Sequence, residues 1–225
     1  MNSNPSNSEA IRQRFLKVDT TTLSDLLTKA GMPEQCLATD LMPIPQDVRI
    51  AGWAYTIRGQ MAPFESAADP DKMRAIEGVG SGEVAVWSGE TEGVCYFGEL
   101  LALGMKVRGC VGAVVDGGVR DSHWIAQHGF PVFARYTTPV ASTGRWKVTG
   151  CQIPVFMRGA VRRNVIVNPG DVLLADADGV AVVPLAIVAE ILLQAEQITE
   201  RENAIRKEIA DGASLDVVLK RYGQI

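Results

Sequence analysis

Gly109-Cys-Val-Gly-Ala-Val-Val-Asp-Gly-Gly-Val-Arg-Asp121 is the stretch from which the rest of the chain can be read. Val111 to Val115 is a short, β-branched apolar run beside glycines, the pattern of a strand buried on both faces. Asp116 follows, and Gly117 and Gly118 then predict a turn, because glycine bends the backbone without steric cost. Arg120 and Asp121 come next, so the strand delivers a guanidinium and a carboxylate to an open edge. The stretch alone leaves two readings. Asp-Gly is also the strongest short hairpin signal, and an Arg and an Asp after a turn are often only solvated charges.

Working outward, Ser122 to His128 reads as a helix and Pro131 to Ala134 as the next strand. That makes a βαβ unit whose crossover is expected to be right-handed. Upstream, Gly98-Glu99-Leu100-Leu101 opens a helix whose stripe of Leu100, Leu101, Leu103 and Val107 stops at Gly109. A glycine at a helix start leaves backbone N–H groups open, and such a terminus attracts anions. The plainer alternative is a surface helix cap. Val84 to Trp87 is another compact strand, followed by the acidic loop Ser88-Gly89-Glu90. Ile50 to Ile57 reads as a strand closed by Arg58-Gly59. Gln60 to Asp71 reads as a loop leading into a short helix, Pro70 to Glu77.

At the N-terminus, residues 1–8 are rich in Asn and Ser and are expected to be disordered, with a weakly patterned helix from Glu9 to Val18 and a single domain over residues 9–225. Thr22, three residues before Asp25, caps a short amphipathic helix carrying Leu23, Leu26, Leu27 and Ala30 and ending at Gly31. Beyond the central unit, Val140 to Gly159 is glycine-rich and irregular. Val165 to Val167, Val172 to Ala175 and Val180 to Val183 read as strands, the last two as an antiparallel pair. Pro184 opens a long helix to about Ala210, with Ile187, Ile191, Ala195, Ile198, Ile205 and Ile209 along one face. It reaches past its own core, toward a neighbouring subunit or toward solvent. Leu215 to Tyr222 adds a final short helix.

The 225 residues, 47% hydrophobic and 21% charged, are those of a globular chain with a substantial core. The formal charge of −4 and the lack of a Lys/Arg block argue against nucleic acid as a direct partner. Cys36, Cys95, Cys110 and Cys151 are widely spaced and read as reduced, mostly buried thiols. With no signal-peptide core and no run of membrane-spanning length, the default expectation is a cytoplasmic protein with no membrane partner.

His123 and His128 are the only histidines, which leaves little for Ser/His or Cys/His nucleophiles, and they read as surface or packing residues. No Gly-x-x-x-x-Gly-Lys loop occurs, and Gly78-Val79-Gly80-Ser81-Gly82 precedes a strand where a dinucleotide loop should follow one. Carboxylates, one arginine and an open helix terminus remain. Carboxylates with few soft ligands favour a hard cation such as Mg²⁺ or Mn²⁺. An arginine can grip a substrate carboxylate or hold charge developing on an oxygen. Together these parts suit an enzyme that takes a small anionic 2-oxo acid through an enolate.

Gly98-Glu-Leu-Leu-Ala102, Gly109 to Asp121, Gly129-Phe-Pro-Val-Phe-Ala134, Asn168-Pro-Gly-Asp-Val172 and Ala175-Asp-Ala-Asp-Gly-Val180 together strongly resemble the RraA-like family. That family includes class II 4-hydroxy-4-methyl-2-oxoglutarate aldolases with oxaloacetate decarboxylase activity, and the regulator of ribonuclease E activity. The resemblance implies a compact α/β fold layered α-β-β-α, with a long C-terminal helix, assembled as a homotrimer or homohexamer. It implies substrate binding by Gly98, Glu99, Leu100, Leu101 and Arg120, with backbone N–H groups of Gly98 to Leu101 on the pyruvyl carboxylate. Arg120 would stabilise the enolate oxygen, Asp121 would hold the divalent metal largely through water, and Glu99 would border its water shell. A glutamate from the neighbouring subunit's C-terminal helix, Glu196, Glu200 or Glu202, would complete the site. The chain departs from many relatives at Trp87-Ser88-Gly89, where they carry an aspartate, and in the segment from Trp146 to Val161. The alternatives are a non-catalytic protein-binding regulator and a lyase for a different hydroxy or keto acid.

Overall fold

The computed structural model describes residues 5–63, 69–89 and 92–223. In chain order these form helices α1 (Pro5–Phe15) and α2 (Thr20–Lys29), strands β1 (Met42–Ile44) and β2 (Ile50–Met61), and helix α3 (Pro70–Glu77). Strands β3 (Glu83–Ser88) and β4 (Cys95–Phe97), helix α4 (Glu99–Val107), strand β5 (Gly112–Val119) and helix α5 (Ser122–Gln127) follow. Then come β6 (Val132–Thr137), β7 (Trp146–Cys151), β8 (Val155–Arg158), β9 (Asn164–Val167), β10 (Val172–Asp176) and β11 (Gly179–Val183). A 3-10 turn at Leu185–Ile187 leads into the long helix α6 (Val188–Ala210), and α7 (Leu215–Tyr222) packs against its end.

The main sheet runs β1-β6-β5-β3-β2-β10-β11, with β4 on β5 and β7 on β2, while β8 and β9 form a separate hairpin. Neighbours β2, β3, β5 and β6 are parallel, and β5-α5-β6 is the expected βαβ unit.

Side-chain alternation sorts these strands into layers. Tyr55, Ile57, Ala85, Trp87, Ala113 and Val115 face α3, α4 and α5, which contribute Ala75, Ile76, Ala102, Met105 and Ile125. The intervening Ala54, Val84, Val86 and Val114 point into a second core, closed from the other side by Leu173, Ala175, Val180 and Val182 of β10 and β11 and by the β8–β9 hairpin. The opposite face of β10 and β11, with Val172, Leu174, Ala181 and Val183, packs on Phe15, Leu23, Leu27, Ile191 and Ala195 of α1, α2 and α6. The order is helix, sheet, sheet, helix, as the resemblance implies. Each strand of the middle needs apolar residues at every position, which is why Val111–Val115 carries no polar alternation.

Several local expectations are corrected. Gly117 and Gly118 do not turn the chain; β5 continues through them, buried throughout, to Val119, with a shift of register against β6 between Val115 and Gly118. A Cβ on Gly117 would lie 2.5 Å from the Tyr96 ring, and one on Gly118 would lie 2.4 Å from the Val94 carbonyl. The glycines serve close approach of β4 and its preceding loop. This also removes the hairpin reading. Arg58-Gly59 does not close β2 either: the strand continues past a bulge to pair with β7, and Gly59 makes room for the Trp146 ring. The stretch 140–159, read as irregular, contains β7 and β8, and the three-residue β4 was not anticipated. Helix α2 starts at Thr20 behind Asp19 rather than at a Thr22 cap. Thr20 instead donates its N–H and hydroxyl to Asp176, at 3.0 and 2.6 Å. The N-terminal helix begins at Pro5, ahead of the expected Glu9, and residues 1–4 lie outside the described residues. All four cysteines are free, with Cys95 and Cys110 buried. No helix among the described residues is long and apolar enough to cross a membrane.

Candidate active site

A pocket of about 230 Å³ opens where β4 passes into α4 and where β5 ends. Gly98, Glu99, Leu100, Leu101, Arg120 and Asp121 all line it, so the residues singled out from sequence converge on one cavity. The reason is the parallel pairing of β4 with β5, which sets Phe97 beside Val119 and brings the two strand ends together. The Arg120 N–H then donates to the Phe97 carbonyl at 3.1 Å, tying one end to the other.

Gly98 stands at the N-cap of α4 in extended backbone, and the first helical bond is from Ala102 N–H to the Gly98 carbonyl, 3.1 Å. The N–H groups of Glu99, Leu100 and Leu101 therefore precede the helical ladder and are available to an anion. Gly98 has a second role. A Cβ there would sit 3.1 Å from both Arg120 Cγ and Asp121 Oδ2, so glycine lets these side chains lie across the helix start without being displaced.

Asp121 has φ of 59° and ψ of 32°, left-handed backbone that Asp tolerates better than most residues, and its side chain does not cap α5. Its carboxylate faces Arg120 instead, with Arg120 Nε 3.4 Å from Oδ2 and both side chains nearly half exposed. This is a loose pair at a pocket mouth. Glu99 is oriented by His128, whose Nε2 lies 2.8 Å from Glu99 Oε1. His128 thus belongs to the site's surroundings rather than to a bare surface. Leu101 is anchored on the core, whereas Leu100 is 75% exposed.

Tyr96, Trp146 and Lys72 also line the pocket, and none was singled out from sequence as a site residue. Tyr96 and Trp146 stack at 4.3 Å with their planes 7° apart, and Trp87 packs at 6.1 Å from Trp146. Lys72 of α3 reaches into the same cavity, its Nζ 5.5 Å from the Trp146 ring centre and 6.0 Å from that of Trp87. Burial pushes the Lys72 ammonium down to about 8, aided by Arg120 and opposed by Asp69 and Cys95. Asp69 caps α3: its Oδ1 accepts from Lys72 N–H at 3.0 Å and its Oδ2 from Val148 N–H at 3.1 Å.

For a metal, no group of three His, Cys, Asp or Glu converges among the described residues. Asp121 and Glu99 border the pocket together. That donor set suits Mg²⁺, which keeps several waters and takes only one or two protein carboxylates. Of the α6 glutamates, none lines this chain's own pocket. Glu196 is held by Arg14 through two bonds of 2.6 Å, and Glu202 by Arg206 at 2.9 Å. Glu200 is exposed and forms no side-chain hydrogen bond or ion pair among the described residues.

A family model described as "RraA-like: Aldolase/RraA" matches residues 20–182, and the chain belongs to that family. It is 28% identical to "Putative 4-hydroxy-4-methyl-2-oxoglutarate aldolase" of Halalkalibacterium halodurans, with 88% of each protein covered. It is also 28% identical to "Protein DlpA" of Legionella pneumophila over 93% of this chain, and spans only 33% of that protein's length. Among solved structures it resembles RraAS2 of Streptomyces coelicolor, an unusual member of the RNase ES inhibitor RraA family. The TM-score is 0.74 and the identity 25%, covering 92% of this chain and 98% of that one.

Proposed function

We propose that the protein is a divalent-metal-dependent lyase that cleaves a short 2-oxo acid to pyruvate, by retro-aldol cleavage of 4-hydroxy-4-methyl-2-oxoglutarate, decarboxylation of oxaloacetate, or both. The observation that carries this is the convergence of Arg120, Asp121 and the open N-terminus of α4 on one small pocket. The relative named as an aldolase, similar along most of the chain, supports the same class.

The chain's residues divide the work. The N–H groups of Leu100 and Leu101 would take the carboxylate next to the keto carbon, since a helix start favours negative charge. Arg120 would face the keto oxygen and stabilise the charge that grows there as the C3–C4 bond breaks. Asp121, with Glu99 nearby, would hold Mg²⁺ or Mn²⁺, which when bound supplies Lewis-acid polarisation of the keto group. His128 keeps the Glu99 carboxylate turned toward its own ring. Glu200 is the α6 glutamate free to serve a neighbouring copy in a trimer or hexamer, since Glu196 and Glu202 are engaged within their own chain.

A regulator that binds another protein is the second reading, favoured by the likeness to RraAS2. Pyruvate release from both acids, with Mg²⁺ and with chelator, separates the two. Chelator-sensitive release that Arg120→Ala abolishes is the expected result. No metal-dependent release from either acid would sink these two substrates, leaving another keto acid or the regulator.

A further inference from the structure

The placement of Lys72 raises a question that the carboxylates and Arg120 do not answer: which group takes the hydroxyl proton in a retro-aldol cleavage. Lys72 is contributed by α3, an element separate from those carrying the other site residues, yet its amine ends in the same cavity. Each carboxylate along that wall has a partner, and Asp121, the loosely paired one, is the carboxylate proposed above for the metal. Asp69 accepts two backbone N–H groups, Glu99 is on His128 and Asp121 is on Arg120. Among the described residues Lys72 forms no ion pair; its amine faces the Trp146 and Trp87 rings. A ring face attracts an ammonium weakly and offers no acceptor that must be broken away when the proton leaves. An amine that is half-buried, unpaired and beside a guanidinium is the environment in which lysine serves as a base.

We propose that Lys72 is the proton carrier of this pocket, accepting the C4 hydroxyl proton of a 4-hydroxy-2-oxo acid as its C3–C4 bond breaks. The proposal rests on the lyase reading above. In the step, the hydroxyl proton moves to Nζ and the O–H electrons form the new C4 carbonyl. The C3–C4 pair passes into the enolate of pyruvate, whose oxygen faces Arg120. The resulting ammonium returns its proton to C3, which releases pyruvate and restores the free amine. No oxidant, reductant or second substrate is needed. Oxaloacetate dispenses with the first transfer, because carbon dioxide leaves without a hydroxyl proton.

The charged and titratable groups around the amine are Asp69 before α3, Cys95 and Tyr96 on β4, Glu99 on α4, and Arg120 and Asp121 after β5. Burial and Arg120 favour the neutral amine, and Asp69 and Cys95 oppose them, leaving it near 8. It can therefore both take and give a proton near neutral pH.

The test compares Lys72→Met and Lys72→Arg with wild type, all loaded with Mg²⁺, following pyruvate formation from the two acids. Thermal melts verify that each variant is folded. The expected result is a loss of about 10²–10⁴-fold in kcat for the hydroxy acid in both variants, the range of general acid–base catalysis. Decarboxylation should stay within roughly 5-fold, since only proton return to C3 is affected and water can supply it. Wild-type kcat/KM for the hydroxy acid should rise through pH about 8 and lose that limb in both variants. Equal losses in the two reactions, or rescue by Lys72→Arg, would overturn the proposal and make Lys72 an anchor for substrate charge. Unchanged cleavage in Lys72→Met would overturn it while leaving the lyase standing. A wild type that releases pyruvate from neither acid removes these two substrates, and this proposal with them.

Discussion

Strand β5 and the residues just after it carry two charge clusters, around Asp116 and around Arg120 and Asp121, and they have opposite characters. Asp116 is 2% exposed, and its Oδ2 accepts from Arg158 N–H at 3.3 Å. The guanidinium Nε atoms of Arg135 and Arg158 lie 3.7 Å from its other oxygen. Arg135 also binds Asp40 and Glu92, at 2.8 and 2.9 Å, and Arg158 binds Glu92 at 2.9 Å. Among the described residues the Arg120 and Asp121 side chains pair only with each other, loosely, at a pocket mouth. The second Asp116 oxygen accepts no hydrogen bond and burial raises the carboxyl above its ordinary value, so Asp116 is sealed among guanidinium charges rather than offered to a substrate. A pair left partly unsatisfied beside a cavity keeps its valence for a ligand. The same residue types are sealed in one place and, on the proposed function, open to a substrate in the other.

The largest effects should divide along this line. Arg120→Ala is expected to cut kcat/KM for pyruvate release by about 10²–10³-fold, the loss seen when one donor to a developing oxyanion is removed. Its melting temperature should stay close to wild type, because the guanidinium is half exposed. Asp116→Ala should do the reverse. Removing one partner of a buried ion network costs about 3–5 kcal/mol, which in a domain of this size lowers Tm by on the order of 10 °C. Activity per folded molecule should persist. Activity assays paired with thermal melts check both, and a Tm loss in Arg120→Ala matching that of Asp116→Ala would erase the distinction.

Glycines sharpen it at smaller scale. Gly118→Ala forces a Cβ to 2.4 Å from the Val94 carbonyl, backbone that cannot step aside. The expected cost is about 1–3 kcal/mol of stability from overpacking. Gly98→Ala places its Cβ 3.1 Å from Arg120 Cγ and Asp121 Oδ2, flexible atoms that can shift by a few tenths of an ångström. Here the melt should barely change while kcat/KM falls by roughly 10-fold or more, since small misplacements of catalytic groups are costly in rate. Equal Tm losses in the two variants would mean that Gly98 is a packing residue like Gly118.

Much of this geometry was legible in the sequence, for reasons that can be given. Val111 to Val115 declared a two-sided buried strand by composition, and Gly98-Glu-Leu-Leu declared an open helix start by position. Both signals are local. Gly117 and Gly118 misled because a glycine that makes space for Tyr96 and one that turns the chain look alike in sequence. Strands β7 and β8 were hidden because each alternates over only a few residues between glycines and Pro154. Lys72 was invisible for a different reason. Nothing near Pro70-Asp-Lys marks it; only folding puts it beside Trp87 and Trp146. The Glu99–His128 contact joins residues 29 apart, and is likewise a product of packing α4 against α5.

Exposure alone does not separate the two kinds of charge pair, as Arg14 and Glu196 demonstrate. Their side chains are 44% and 34% exposed, close to the values of 49% and 42% for Arg120 and Asp121. The geometry differs: Arg14 holds Glu196 in two parallel bonds of 2.6 Å, tying α1 to α6. A bidentate pair has spent its valence, so it should contribute a little stability and no chemistry. Arg14→Ala is expected to cost about 0.5–1 kcal/mol, the range for an exposed pair of good geometry, and to lower Tm by about 1–3 °C at neutral pH. The hydrogen bonds from Arg14 hold the Glu196 carboxyl below its ordinary value. A carboxylate depressed on folding adds stability above its unfolded pKa of about 4.3 and loses it as pH falls through the folded value. The Tm gap between wild type and Arg14→Ala should therefore be full at pH 7 and shrink steadily below pH about 4. Pyruvate release should not change. A variant that keeps its Tm but loses turnover would move this pair into the second class and make α6 part of the site.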